Sequence, residues 1–451
     1  MNNTMLKSTR RDFLKVAALA GGVPVAASEG KTVRALMPVA PAGALFTSTS
    51  NSQSQLDRAT LRQGVLTACE WISNVAQMQT DTLGIEHNSF NLRHRHWRGA
   101  LRGEYRASTH QWDFYGPVWH TGQAIKSLVW ASQALNRPEL LNAARLGAEF
   151  IGTERVTDRS DPDYALIYAY EGIDNTTAVT SGVFEAVDGL WVLADATGNN
   201  QYAEWADAAV AWEARNSYLG DGLFRDLFDV TTRRPVAADA GAKPGRPLND
   251  DAVYLKAFRR GGNNEFRSIF YEVADRLLRD EEPAGNWINY GPCNAATGMI
   301  HPRQAYWWGL PMIDAYRDSH DARYLDCARR AGKWYQNAMR VDGGMFRVTR
   351  RDFNTDSFSH ATSGVACAVL LWIELWKETH DEAWLKSIPI ALNFCLLMQF
   401  RNALDPNLQG ALIEGVEAPD GSDSCPYYIR DLAAIFFVQA ASRMITEQIP
   451  V

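Results

Sequence analysis

Pro117-Val118-Trp119-His120-Thr121-Gly122-Gln123 opens a run that continues unbroken to Asn136, and Arg137-Pro138-Glu139-Leu140-Leu141 follows at once. The spacing predicts a helix over 117–136 and a second one after it, in which Leu141, Ala144, Ala148 and Ile151 share one apolar face. Helices joined by so short a link are antiparallel neighbours. The unit then returns along the chain. Second helices are expected to begin at Asn200-Gln201-Tyr202, Asn264-Glu265-Phe266, Asp321-Ala322-Arg323-Tyr324 and Asp381-Glu382-Ala383-Trp384, after first helices over 180–197, 248–260, 303–320 and 360–380. One helix remains at each end, 56–80 and 426–445. Pairing those two gives an all-α fold of six helical hairpins in a closed ring, an (α/α)6 arrangement.

The connections are uneven in a way that locates function. Turns inside hairpins are short, whereas the links between hairpins span 80–116, 154–179, 217–247, 280–302, 339–359 and 401–425. All the long links must emerge on one face, and long irregular segments on a rigid scaffold are where binding groups gather. The first helix of each pair starts on that face, so the helix dipoles are expected to favour an anion there. An open superhelix of helix pairs would need a more regular period and more uniform loops.

The first residues carry a different message. Arg10 and Arg11 stand directly before Asp12-Phe13-Leu14-Lys15, and a short apolar run leads to Val25-Ala26-Ala27. This resembles a twin-arginine export signal, read by the twin-arginine translocation machinery. The expected organisation is a signal peptide over 1–27, a leader rich in Ala, Ser, Thr and Pro over 28–54, and one catalytic domain over 55–451, with the mature protein periplasmic or secreted. No segment is apolar for the roughly 18 residues that a membrane span needs. A net charge of -7 argues against a nucleic-acid surface. Six scattered cysteines without a C-x-x-C pair do not indicate a disulfide framework. The chain is rich in aromatics, with 15 Trp and 16 Tyr, which suits a surface that stacks on sugar rings.

In its repeat and loop pattern, from about Leu56 to Ile445, the chain resembles the six-hairpin α/α-toroid superfamily of carbohydrate-active enzymes, nearest in type to the unsaturated glucuronyl hydrolases. The resemblance implies a glycoside hydrolase acting on a uronic-acid-containing poly- or oligosaccharide. Asp250 and Asp251, ahead of the apolar-aromatic run Ala252-Val253-Tyr254-Leu255, look like that family's helix-initial Asp, and by resemblance one of them is the proton donor. Two adjacent carboxyls can raise one pKa, as a general acid requires, although the same residues also fit an ordinary helix N-cap. Asp113 and Asp174 offer the opposing carboxylate.

Positive groups interleaved with indoles suit an acidic sugar, because a guanidinium forks onto a carboxylate and an indole stacks on the ring. Arg95, His96, Trp97, Arg106 and Trp112 form such a stretch ahead of His120 and Gln123, and the alternative for each is a structural pair or a buried anchor. Asn175, Tyr290, His301, Arg303, Trp307, Tyr427 and Arg430 complete the expected substrate contacts. His120, His301 and His360 occupy equivalent places at helix starts, so a polysaccharide lyase that removes a proton from uronate with a His or Tyr base is the second reading. A non-catalytic glycan-binding protein is the third. His94 and His96 lack further ligands, so neither a metal nor another cofactor is expected.

Overall fold

The computed structural model describes residues 56–83, 96–170, 177–236, 245–416 and 426–450. The segments expected to be an export signal and a leader, together with Arg95, Asp174 and Asn175, lie outside the described residues. Among the described residues twelve α-helices follow one another: α1 (Arg58–Trp71), α2 (Pro117–Leu135), α3 (Leu140–Thr153), α4 (Thr180–Thr197), α5 (Asn200–Asn216), α6 (Val253–Gly261), α7 (Asn264–Asp280), α8 (Gln304–Ser319), α9 (Ala322–Ala338), α10 (Thr362–Thr379), α11 (Ile388–Leu397) and α12 (Leu432–Thr446).

A two-residue device repeats inside the hairpins. Gly198, Gly262, His320 and His380 end α4, α6, α8 and α10 in the left-handed conformation, which stops the helix and reverses the chain. The next residue in each case, Asn199, Asn263, Asp321 or Asp381, accepts a hydrogen bond from the backbone N–H two positions on, at 3.2, 3.0, 3.0 and 2.9 Å. That caps the helix that follows. Only after Asp381 does the regular helix start later than expected: a 3-10 turn, Leu385–Ser387, precedes α11.

The even-numbered helices form the inner ring. α2 packs on α4 and α12, α12 on α10, α10 on α8, α8 on a 3-10 turn (Asp250–Ala252) at the head of α6, and that turn on α4. Each odd-numbered helix lies outside its partner, and α1 packs on α12, which closes the ring through the two ends of the unit. The closest approach is between α2 and α4. A Cβ on Gly189 would stand 2.1 Å from the Gly122 carbonyl oxygen, and one on Gly122 would stand 2.4 Å from the Ala186 Cα. Backbone cannot yield as a side chain tip can, so Gly189→Ala is expected to cost about 1–3 kcal/mol of stability, measured by urea unfolding.

Of the indoles within the helices, Trp191, Trp212, Trp334, Trp372 and Trp384 are buried, while Trp205 and Trp376 are half-buried against the core. Five cysteines, Cys69, Cys293, Cys327, Cys367 and Cys395, are free and buried. Short strands were not expected, and they occur in the long links. One sheet joins β1 (Gly103–Arg106) to β2 (Gln111–Phe114) and to the strand Tyr427–Arg430, with Glu104 opposite Asp113 on one side and Arg430 on the other. Among the described residues no helix is long and apolar enough to cross a membrane.

Candidate active site

The heads of the inner helices meet around one mouth, and their side chains bond across it. His120 of α2 shares a hydrogen bond with Asp431 at the head of α12. Gln123 Nε2 donates to Asp251 at 2.9 Å, and Lys126 Nζ donates to Asp251 and to Asp188 of α4 at 2.8 and 2.9 Å. Arg303, just before α8, donates to Ser363 Oγ of α10 at 2.9 Å. Helical spacing explains the inward file: His120, Gln123 and Lys126 lie three apart on α2, and Glu185 and Asp188 three apart on α4.

Asp250 and Asp251 are adjacent yet live differently. Asp250 is buried, its Oδ2 has no hydrogen-bond partner among the described residues, and its pKa is pushed up to about 7. Burial is the main cause; the Arg246 guanidinium opposes it and the Asp251 charge adds to it. Asp251 instead receives the Lys126 ammonium and the Gln123 amide, one on each oxygen. Glu185, from α4, is a second buried carboxyl, one of whose oxygens has no partner among the described residues, held well above the ordinary range first by burial and then by the charges of Asp250 and Asp251. A third, Glu213, receives Thr180 Oγ1 at 3.0 Å and is pushed up to about 7 by burial.

These three carboxyls make stability depend on pH. Each has a folded pKa above its unfolded value, so the folded chain holds protons that the unfolded chain releases. The contribution of these three groups is therefore fullest below about pH 4 and is lost as pH rises, through about 7 for Asp250 and Glu213, by up to about 1.4 kcal/mol per pH unit for each group. Glu213→Gln is expected to flatten that fall, measured as denaturant midpoint against pH.

Cations and imidazoles surround the carboxyls. His301 stacks on Trp307 at 5.0 Å with the rings 6° from parallel, and Arg303 covers Trp307 at 5.1 Å. Burial holds His301 well below its usual pKa, and Arg303, Arg347, Arg430 and Arg246 push the same way, so the ring is a neutral base. His360, half-buried, is likewise lowered by burial, and its Nε2 has no partner among the described residues.

The dipoles of α4 and α10 are answered from within by carboxylates, where the sequence reading expects an external anion. Asp226 accepts from Ser181 N at the head of α4 at 3.1 Å and pairs with Arg246. Glu414 accepts from Ser363 N at the head of α10 at 2.8 Å, with Arg347 at 3.4 Å and Arg303 at 3.9 Å.

Several expected contacts take other roles. Strand alternation turns Tyr105, Trp112 and Phe114 into the core. Trp112 is fully buried and donates to Asn407, and Trp97 is buried and stacked on Phe114 at 4.0 Å, so neither is a sugar platform. Tyr290 is buried against Asp280, beneath the ring's outer layer. Arg430 is spent on Glu104 and lies 4.5 Å over Tyr115 rather than standing free, and Asp431 pairs with His120, not with Arg430. His120 itself is fully buried, with Nε2 unpartnered among the described residues, and Gln123 is buried on Asp251. His96 is exposed and sits 3.4 Å from Asp81, while Arg106 pairs with Asp113 at 3.2 Å on the polar face of the sheet. Tyr427 is half-buried against Phe400.

The sequence reading does not single out Lys126, Glu185, Asp188, Arg246 or Arg347 at this centre. Polar residues at three-residue spacing on otherwise apolar or small-residue helices were the available signal for the first three. Two cavities, of about 280 and 510 Å³, lie elsewhere, beside Arg102 and Asn407 and between α1 and α3. They contain none of the expected site residues. Among the described residues no group of three His, Cys, Asp or Glu side chains is placed to hold a metal ion.

No family model matches the chain, and no curated protein matches it in sequence. Solved structures do match. A sugar epimerase from a ruminal bacterium superposes over 87% of this chain and 100% of its own, with a TM-score of 0.61 at 16% identity. A D-mannose isomerase matches over 88% and 99%, with a TM-score of 0.62 at 12% identity. The unsaturated glucuronyl hydrolase of Bacillus sp. GL1 matches over 86% and 98%, with a TM-score of 0.60 at 11% identity. At such identities the likeness speaks to architecture, and the fold of this chain is the (α/α)6 toroid.

Proposed function

We propose that the protein is a carbohydrate-active enzyme, and specifically a glycoside hydrolase that cleaves a uronic-acid-containing oligosaccharide at the mouth of the ring. The observation that carries this is Asp250: a buried carboxyl at a helix head, with one free oxygen and a pKa of about 7, has the proton a leaving sugar oxygen needs at neutral pH. Asp251, braced by Lys126, supplies the negative charge that an oxocarbenium-like transition state calls for. Arg347 and Arg246 are partly exposed and near enough to His301 to act on its charge, and with the Trp307 ring they suit a uronate carboxylate and sugar ring. The structural neighbours, being sugar hydrolase, epimerase and isomerase, agree with a sugar substrate. Export through the twin-arginine pathway, carried by Arg10 and Arg11, and a single catalytic domain after the leader complete the proposal.

A second reading has its own support. A neutral His301 amid four arginines is a base placed where a uronate carboxylate would be neutralised, which is what β-elimination requires. One assay separates the two. Purified mature protein is incubated with oligosaccharides of polygalacturonate, alginate, hyaluronan and heparin. New reducing ends without new ultraviolet absorbance are expected; absorbance from an unsaturated product would establish the lyase, and binding without turnover would leave a glycan-binding protein.

A further inference from the structure

Asp251 is gripped from α2 on both oxygens, by Lys126 at 2.8 Å and by Gln123 at 2.9 Å. Lys126 is 1% exposed and also holds Asp188 of α4, whose other oxygen takes Lys256 of α6. The chain of charges Lys256, Asp188, Lys126, Asp251 thus crosses three inner helices and ends on the turn before α6. That turn is strained: Asp251 and Ala252 both sit at a φ of 52°, where a Cβ crowds the backbone, and neither is glycine. Two consecutive residues hold that conformation only if something pins them, and the grip on Asp251 is the pin on view. Asp250, the next residue back, gains its burial from the same turn.

We infer that Lys126 is a positioning residue, whose ammonium fixes Asp251 and with it the left-handed turn that keeps the Asp250 carboxyl buried at the mouth. The inference rests on Asp250 being the proton donor. Two cations and two anions neutralise each other here, and apolar residues of like volume would serve packing as well. A charged lysine reaching two carboxylates from different helices serves geometry instead. The charged groups facing Asp250 are Asp251, Arg246 and Asp226 from the link that precedes α6 and Glu185 from α4.

The test needs no substrate. In an infrared titration of the full mature protein, the protonated-carboxyl band that Asp250→Asn abolishes reports Asp250, and in the wild type it is expected to disappear with a midpoint of about 7. The double variant Lys126→Met with Asp188→Asn removes one cation and one anion, so the network stays neutral and the fold, checked by circular dichroism, is kept. Its midpoint is expected to fall toward about 4, the range of a solvated carboxyl. Asp188→Asn alone, with Lys126 still on Asp251, stays near the wild-type value. Lys126→Gln, which keeps a donor without charge, shifts in the same direction by less and serves if the double variant does not fold. A folded Lys126 variant whose midpoint equals that of the wild type overturns the inference. A wild-type protein with no such band near neutrality overturns the donor assignment instead.

Discussion

Asp250→Asn is expected to lower kcat by about 10²–10⁴, the usual contribution of a positioned general acid, with KM changed little. An amide has nearly the shape of the carboxyl but no proton to give, and the Asp250 oxygen that lacks a partner leaves room for the change. The wild-type profile of kcat/KM should fall on its alkaline side with a midpoint of about 7, because the donor must be protonated and burial holds it so up to that pH. Substrates with activated leaving groups, which need no protonation, should recover much of the lost rate in the variant. Asp251→Asn is a different experiment: it releases Lys126 and Gln123, so fold and rate both change. Steady-state kinetics over pH on the wild type and both variants checks these outcomes, and full activity in Asp250→Asn removes the donor assignment.

Arg430→Met is expected to destabilise the protein by about 3–5 kcal/mol, because it leaves Glu104 buried without its cation. The pair joins β1 to the strand before α12, so it ties the first long link to the last helix and helps to close the ring. Tyr428 OH, which receives Arg430 at 2.9 Å, and the face of Tyr115 beneath the guanidinium lose their partner as well. Replacing both members, Glu104→Gln with Arg430→Met, should restore most of the loss, since no buried charge then stands alone. Denaturant unfolding of the two singles and the double measures this coupling. Additive losses would mean that the pair is not the closure it looks to be.

The ring was legible because its turns are written locally. Gly198-Asn199, Gly262-Asn263, His320-Asp321 and His380-Asp381 each combine a left-handed stop with a helix cap, and such signals act within a few residues. The strands were not legible. Glu104 pairs with Arg430 across most of the chain, and pieces of two to four residues have no periodicity to read. The same sheet removes Trp112 from the surface: a loop folded into a strand sends alternate residues inward, and its indole lies in the core. Helix heads gave away Asp250, His301 and Arg303. Lys126, Glu185 and Asp188 stayed hidden because they lie further along helices buried on nearly every side, where a polar residue has meaning only once the ring has an axis.

The central claim is that the heads of the inner helices form one centre for an acidic sugar. A crystal structure of the Asp250→Asn variant soaked with a uronate oligosaccharide tests it most directly. A sugar carboxylate is expected on Arg347 or Arg246, a ring against Trp307, and the scissile oxygen within hydrogen-bond reach of residue 250. Sugar bound on the outer helices, or in the cavity beside Arg102 and Asn407 with the mouth empty, would contradict it.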